Sequence, residues 1–262
     1  MNQNPLYYLA IDLGNTAIKL GVFHGSDPQK FPPEIEKIIL PILDTHQLEN
    51  AKTKLQHLLK QYFFEQIIFC SVAANQIEQS IKKILPNNIL EIQNLKFPFP
   101  IHYYPTSSLG KDRLSNAVAA YFLYPNQKTM IIDIGTCIKY DLVSPEGFEG
   151  GYISPGYQMR FRALNQFTGA LPLLQVENLT EPSKVLPTST EQAMLNGVYW
   201  GVWAEIQSQI KFFFDKKGAK ILVFTGGELK YFENSIKSII FAKIEKHLTL
   251  LGLYKMIFLN HE

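Results

Sequence analysis

Two stretches of this chain repeat each other, and that duplication limits the fold more than any single motif does. Ile11-Asp12-Leu13-Gly14-Asn15-Thr16 follows the apolar run Leu6 to Ala10, and Ile132-Asp133-Ile134-Gly135-Thr136-Cys137 follows Met130 to Ile132. Each copy puts an aspartate at the end of an expected strand, a glycine two residues later and a hydroxyl side chain close behind. Apolar residues then alternate, Ile18, Leu20 and Val22 after the first copy and Ile138, Tyr140 and Leu142 after the second. That period of two is a strand signature, so each copy reads as strand, tight turn, strand. Glycine lets a backbone approach an anion and turn N–H groups point at it, so such a turn suits a magnesium-bound phosphate. Two copies imply a duplicated domain with a nucleotide held between the halves.

At 262 residues the chain has room for one large or two modest domains. Its 46% hydrophobic and 18% charged content is ordinary for a globular core. A net charge of +2 gives no electrostatic reason to expect nucleic acid or an anionic membrane as partner. Cys70 and Cys137 stand far apart, without metal-ligand spacing, and read as reduced thiols. No basic n-region precedes an apolar stretch at the start, and no apolar run approaches the ~20 residues that span a bilayer. The expectation is a soluble, cytoplasmic protein.

The first half predicts strands near 6–12, 17–24 and 36–42, the last two separated by a loop with Pro28, Pro32 and Pro33. Helices over 48–64, 75–85 and 111–123 and short strands at 67–72 and 89–92 complete it, with an irregular proline-rich stretch over 96–105. The second half restarts with strands near 129–133, 138–143 and 148–154. A helix at 157–168, a proline-rich segment over 172–187, a long helix over 190–214 and a strand at 220–224 follow. Thr225-Gly226-Gly227 then leads to a helix near 228–237 and strands at 239–244 and 254–259. Pro125-Asn126-Gln127 marks the boundary, giving lobes of 1–125 and 126–262. Three strands followed by alternating helices and strands, twice over, is the layout of the actin-like, sugar-kinase-like ATPases. The expected fold class is therefore α/β, with two ribonuclease H-like lobes, mixed sheets flanked by helices and a nucleotide cleft between.

An Asp-x-Gly turn on its own is common for backbone reasons. Two in matching positions, with a third strand-to-glycine turn at Thr225-Gly226-Gly227, carry more weight. Gly110-Lys111-Asp112-Arg113 stands where a proline-rich loop enters a helix. Asp112 there suits the helix dipole, and capping alone accounts for it as well as catalysis does. With Arg113 beside it, the pair offers a carboxylate to deprotonate a hydroxyl and a guanidinium fork for a substrate carboxylate.

These motifs in this order resemble the type III pantothenate kinase family. The matching elements are Asp12 to Thr16 with Lys19 and Gly21, Gly110 to Arg113 after Tyr103, and Asp133 to Thr136 with Asp141. Gly150 to Gly156, Thr168 to Pro172, Thr190 to Ala193 with Gly197, and Thr225 to Gly227 continue the match. The resemblance implies ATP-dependent phosphorylation of pantothenate, the first step toward coenzyme A, by a homodimer. It implies that Asp12, Leu13, Gly14, Asn15, Thr16, Ala17, Ile18 and Lys19 form the ATP phosphate loop, with Asp12 holding Mg2+ through water. Asp112 becomes the general base, and Tyr103, Gly110, Lys111, Arg113 and Thr190 line the pantothenate pocket. Thr136 touches ATP, and Asp133 binds a monovalent cation, K+ or NH4+. Cys137 and Lys139 depart from the common pattern, and Lys139 brings a cation near that site. The alternatives are a different small-molecule kinase, or a transcriptional accessory protein on the same fold.

Overall fold

Alternation along the first strands is what builds the first sheet. β1 (Tyr7–Leu13) runs antiparallel to β2 (Ala17–His24), and β2 antiparallel to β3 (Ile35–Pro41). β4 (Phe64–Ser71) lies parallel to β1 on its other side, followed by the short β5 (Leu90–Glu91), so the sheet reads β3-β2-β1-β4-β5. Residues 6–24, 35–175, 182 and 185–260 are described in this computed structural model; the prolines of the 28–33 loop lie outside them.

Both faces of this sheet are covered. Leu9, Ile11, Leu13, Ile18, Leu20 and Val22 point to one core. There they meet Ala51, Leu55 and Leu58 of α1 (Thr45–Gln61) and Ile81 of α2 (Asn75–Lys82). Asp44 fixes the start of α1: its carboxylate accepts from the Gln47 N–H at 2.8 Å, while the Gln47 amide oxygen accepts from the Leu43 N–H at 2.9 Å. This reciprocal cap satisfies donors that a helix start leaves open. On the opposite face lie α3 (Lys111–Leu123) and α7 (Leu248–Leu259). Tyr254 stacks on Phe23 at 4.3 Å and meets Tyr8 edge-on.

The second unit repeats the plan. β6 (Thr129–Ile134) pairs antiparallel with β7 (Cys137–Ser144), β8 (Gly147–Pro155) lies beyond, and β9 (Ile221–Thr225) runs parallel to β6. With β10 (Ala242–Ile244) the order is β10-β9-β6-β7-β8, matching the first sheet strand for strand. Met130, Ile132 and Ile134 pack with Val198, Tyr199, Val202 and Ile206 of α5 (Thr190–Lys217) and with Tyr157 and Phe161 of α4 (Tyr157–Gln166). Gly218, at φ +73°, ends α5 in the left-handed conformation that favours glycine.

Two expectations need correction. Residues 254–259 belong to a helix, not a strand. α7 is buried nearly all round, so it shows no helical stripe, and a short apolar run of that kind cannot be told from a strand by period. Gly252 makes its packing possible, because a Cβ there would stand 1.8 Å from the Ser115 carbonyl oxygen on α3. The helix expected over 228–237 shrinks to a 3-10 turn at Leu229–Tyr231 and α6 (Glu233–Lys237). The chain divides into Met1–Pro125 with Glu146–Phe148 and His247–Glu262, and Asn126–Pro145 with Glu149–Lys246. α7 packs on β1, β2, β4 and α3, within the first of these units. Among the described residues no helix is long and apolar enough to cross a membrane.

Candidate active site

In the first unit, the β1–β2 hairpin sets Asp12 directly opposite Lys19. The Lys19 ammonium donates to Asp12 Oδ2 at 3.1 Å, and the aspartate is buried while the lysine is one-third exposed. Gly14, Asn15 and Thr16 form the turn, closed by the Gly14 N–H on the Ala17 carbonyl at 3.0 Å. Leu13 and Ile18 pair across the hairpin and belong to the core. All eight expected phosphate-loop residues thus lie on one hairpin.

Asp112 and Arg113 stand in the first turn of α3 and are both buried. Asp112 Oδ1 accepts from the Arg113 backbone N–H at 2.9 Å, a charge-assisted bond at a helix start. Gly110 leaves Asp112 its rotamer, since a Cβ there would come within 2.7 Å of Asp112 Oδ1 and push the carboxylate aside. The Arg113 guanidinium lies over the rings of Tyr103 at 5.4 Å and Phe148 at 5.6 Å. Tyr104, by contrast, is 96% exposed, so Tyr103 is the tyrosine of this cluster. Phe148 escaped sequence reasoning. It follows an unremarkable Pro-Glu-Gly turn and reaches the cluster because its N–H donates to the Pro100 carbonyl at 3.0 Å.

Cys70 ties these segments together. It is the parallel partner of Asp12 on β4, and it is fully buried. Burial pushes its thiol well above the usual range, and the Asp12 and Asp112 carboxylates push it further. Lys111 acts in the opposite direction. Two carboxylates from segments a hundred residues apart therefore bear on one point of the first unit.

The second unit carries the other hairpin. Asp133 faces Lys139 across β6–β7, and the lysine ammonium donates to Asp133 Oδ2 at 2.9 Å. Thr136 sits in the turn, half-buried. Glu228 follows the Gly226-Gly227 turn, and sequence gives no sign of its contact with α4. Its Oε2 accepts from the Tyr157 N–H at 2.9 Å, capping α4 from seventy residues away. Burial raises its carboxyl to about 7, against the pull of the Tyr157 and Gln158 N–H groups. Glu205 of α5 is a second unforeseen anchor. It accepts from the Tyr140 hydroxyl at 2.7 Å and pairs with Arg160 at 2.5 Å. Thr190 is exposed at the start of α5, on an apolar groove of about 840 Å3 between α4 and α5 lined also by Leu164, Phe167 and Met194. Thr190 belongs to the second unit and Asp112 to the first.

A family model describing type III pantothenate kinase matches residues 8–211. The chain is 34% identical over 256 residues to the type III pantothenate kinase of Azobacteroides pseudotrichonymphae, covering 95% of this chain and 96% of that one. It is 33% identical over 259 residues to that of Porphyromonas gingivalis, covering 97% and 99%. Among solved structures it resembles a candidate Baf family transcriptional activator from Campylobacter jejuni, with TM-score 0.59, 20% identity and 95% and 97% of the two chains covered. A candidate 2-dehydro-3-deoxygalactonokinase from Sinorhizobium meliloti has TM-score 0.57 at 12% identity, covering 97% and 98%. These two likenesses speak to the fold.

Proposed function

The chain belongs to the type III pantothenate kinase family and phosphorylates pantothenate with ATP in coenzyme A biosynthesis; we propose that Asp112 is the base that takes the proton of the pantothenate hydroxyl. A primary alcohol is a weak nucleophile, and a carboxylate at hydrogen-bond distance contributes roughly 10²–10⁴-fold. Phosphoryl transfer otherwise depends on positioning and charge neutralisation. Arg113, held against the edge-on pair of Tyr103 and Phe148, presents its guanidinium fork to the pantothenate carboxylate. Gly110 and Lys111 complete that pocket.

The β1–β2 hairpin suits MgATP. Mg2+ keeps several waters and takes one or two carboxylates together with substrate phosphates. Asp12, buried at a strand end, is such a donor, and Lys19 brings an ammonium for the phosphates. When bound, MgATP supplies the phosphoryl group and part of the charge neutralisation. In our assignment, Leu13 to Ile18 present the backbone to the phosphates. Gly135 supports a nucleotide contact at the second hairpin with Thr136. Its φ is not positive, and the nearest atoms to a Cβ there lie 3.8 Å off. Neither strain nor crowding requires glycine there, which leaves the turn backbone open to a phosphate.

A monovalent cation suits Asp133 poorly, because the Lys139 ammonium already lies on its carboxylate. A homodimer is also part of this proposal: the α4–α5 groove offers an apolar face that a second copy would bury, with Thr190 on its rim. Light scattering of the purified chain measures it, and a monomer at micromolar concentration would refute it.

The observation that carries the catalytic assignment is the placement of a buried carboxylate, Asp112, in the first turn of α3 directly beside Arg113, whose guanidinium lies over Tyr103. Asp112→Asn is its test. The expected result is a fall in kcat of roughly 10²-fold or more with pantothenate binding retained by calorimetry. Wild-type kcat in that variant removes Asp112 from the mechanism.

A further inference from the structure

Resting on the kinase reading, we propose that the ammonium of Lys139 is this enzyme's own monovalent cation, so that turnover requires neither potassium nor ammonium from solution. Asp133 and Lys139 are opposite residues of one antiparallel hairpin, which fixes their separation through the backbone. The Nζ to Oδ2 distance is 2.9 Å, and the two side chains are only 18% and 10% exposed. A pair this sheltered differs from a solvated surface pair, whose partners exchange freely with ions in water.

The other side of the carboxylate is closed as well. Gly226 follows Thr225, the parallel partner of Asp133 on β9. A Cβ on Gly226 would stand 2.6 Å from Asp133 Oδ1, so its backbone already lies against that oxygen. An ion from solution would have to displace Lys139 and leave a sheltered ammonium without its carboxylate, a costly exchange. Lysine brings one positive charge on a compact head, as potassium or ammonium would. The difference is that the charge is tethered. The first hairpin makes the same pair from Lys19 and Asp12, so the arrangement is one this backbone forms readily.

The test measures pantothenate-dependent ADP formation by the full chain with MgATP in choline chloride, then with potassium or ammonium chloride at equal ionic strength. The wild-type rate is expected to change by less than about twofold among the three salts. Lys139→Thr is expected to lose roughly tenfold or more in choline and to recover with ammonium or potassium. A purely structural lysine would not show such rescue. Wild-type turnover that rises tenfold or more with potassium overturns the proposal. So does a Lys139→Thr enzyme that matches wild type in choline, or a folded one that no cation rescues. If Lys139→Thr does not fold, the wild-type salt series decides alone. Melting of the nucleotide-free protein gives a readout independent of turnover. Wild type should melt alike in potassium and choline, and Lys139→Thr higher in potassium; a potassium-specific rise in wild type counts against the proposal. Absence of pantothenate turnover in every salt refutes the kinase reading instead, and the melting comparison still decides what Asp133 holds.

Discussion

The two hairpins share a backbone and differ in how far their lysines are exposed. In each, an aspartate at the end of the first strand faces a lysine on the second, at 3.1 Å for Asp12–Lys19 and 2.9 Å for Asp133–Lys139. The first turn has three residues, Gly14 to Thr16, and the second has two, Gly135 and Thr136. The parallel neighbours differ more. Asp12 lies beside Cys70, on which Asp112 also acts, whereas Asp133 lies beside Thr225 and the Gly226 backbone. Both aspartates are thus paired, and the difference lies in the lysine: Lys19 is 34% exposed and can turn toward a phosphate, whereas Lys139 is 18% exposed and stays sheltered on Asp133. Duplication kept the hydrogen-bonded frame and changed what the frame carries.

The largest expected effect falls on the first hairpin. Asp12→Asn should lower kcat/KM for MgATP by roughly 10²–10³-fold, the usual loss when one preorganised charge partner goes. Steady-state kinetics would show it; a change within threefold would mean that the first hairpin does not handle the phosphates, and the contrast drawn here would fail. Glycine substitutions sharpen the second hairpin. Gly226 has φ +109° and would put a Cβ 2.3 Å from the Ile134 carbonyl oxygen, so Gly226→Ala should cost about 2–3 kcal/mol in chemical unfolding. Gly135→Ala should leave stability within about 0.5 kcal/mol and raise KM for ATP severalfold. Equal stability losses in the two variants would remove the ligand from the explanation of Gly135.

Arg113→Lys keeps the charge but loses the planar fork that lies against Tyr103 and Phe148. We expect KM for pantothenate to rise about tenfold, near 1.4 kcal/mol, with kcat little changed. An unchanged KM would confine Arg113 to packing. The smallest effect concerns Glu228, which follows the glycine turn of the second unit, where the first has Val72-Ala73 after β4. Its folded-state carboxyl lies at about 7 against an ordinary 4.5. The folded chain therefore binds the proton more tightly than the unfolded one. Its contribution to stability is fully present below about pH 4.5 and is lost as pH rises through 7. Glu228→Gln should flatten that slope and gain on the order of 1 kcal/mol at pH 8, read from urea unfolding at several pH values. A slope unchanged by the substitution would assign the pH dependence to other groups.

Sequence carried the hairpins because their signals are local: alternating burial, an aspartate at a strand end, a glycine at a turn. The residues of the phosphate loop are contiguous, and so are Gly110 to Arg113. What escaped depends on contacts between distant segments. Phe148 reaches Arg113 through a backbone pairing with residues near 101, and Glu228 caps a helix that begins at Tyr157. No periodicity encodes either. Tyr103 and Tyr104 are chemically alike, and only the path of the loop puts one on Arg113 and the other in solvent. α7 was misread as a strand for the opposite reason: it is so thoroughly buried that its sequence has no face to show.

That same helix sets the order in which the molecule can be finished. During synthesis, domains generally fold as units from the N-terminal end. Here residues 7–71 emerge early with Tyr8 and Phe23 uncovered, and their partner Tyr254 comes only after the whole of residues 126–246 has been made. The second unit has all of its strands and helices in hand before α7 leaves the ribosome. The unit that is translated first is therefore completed last, and the Asp112 helix, packed on α7 at Gly252, waits with it.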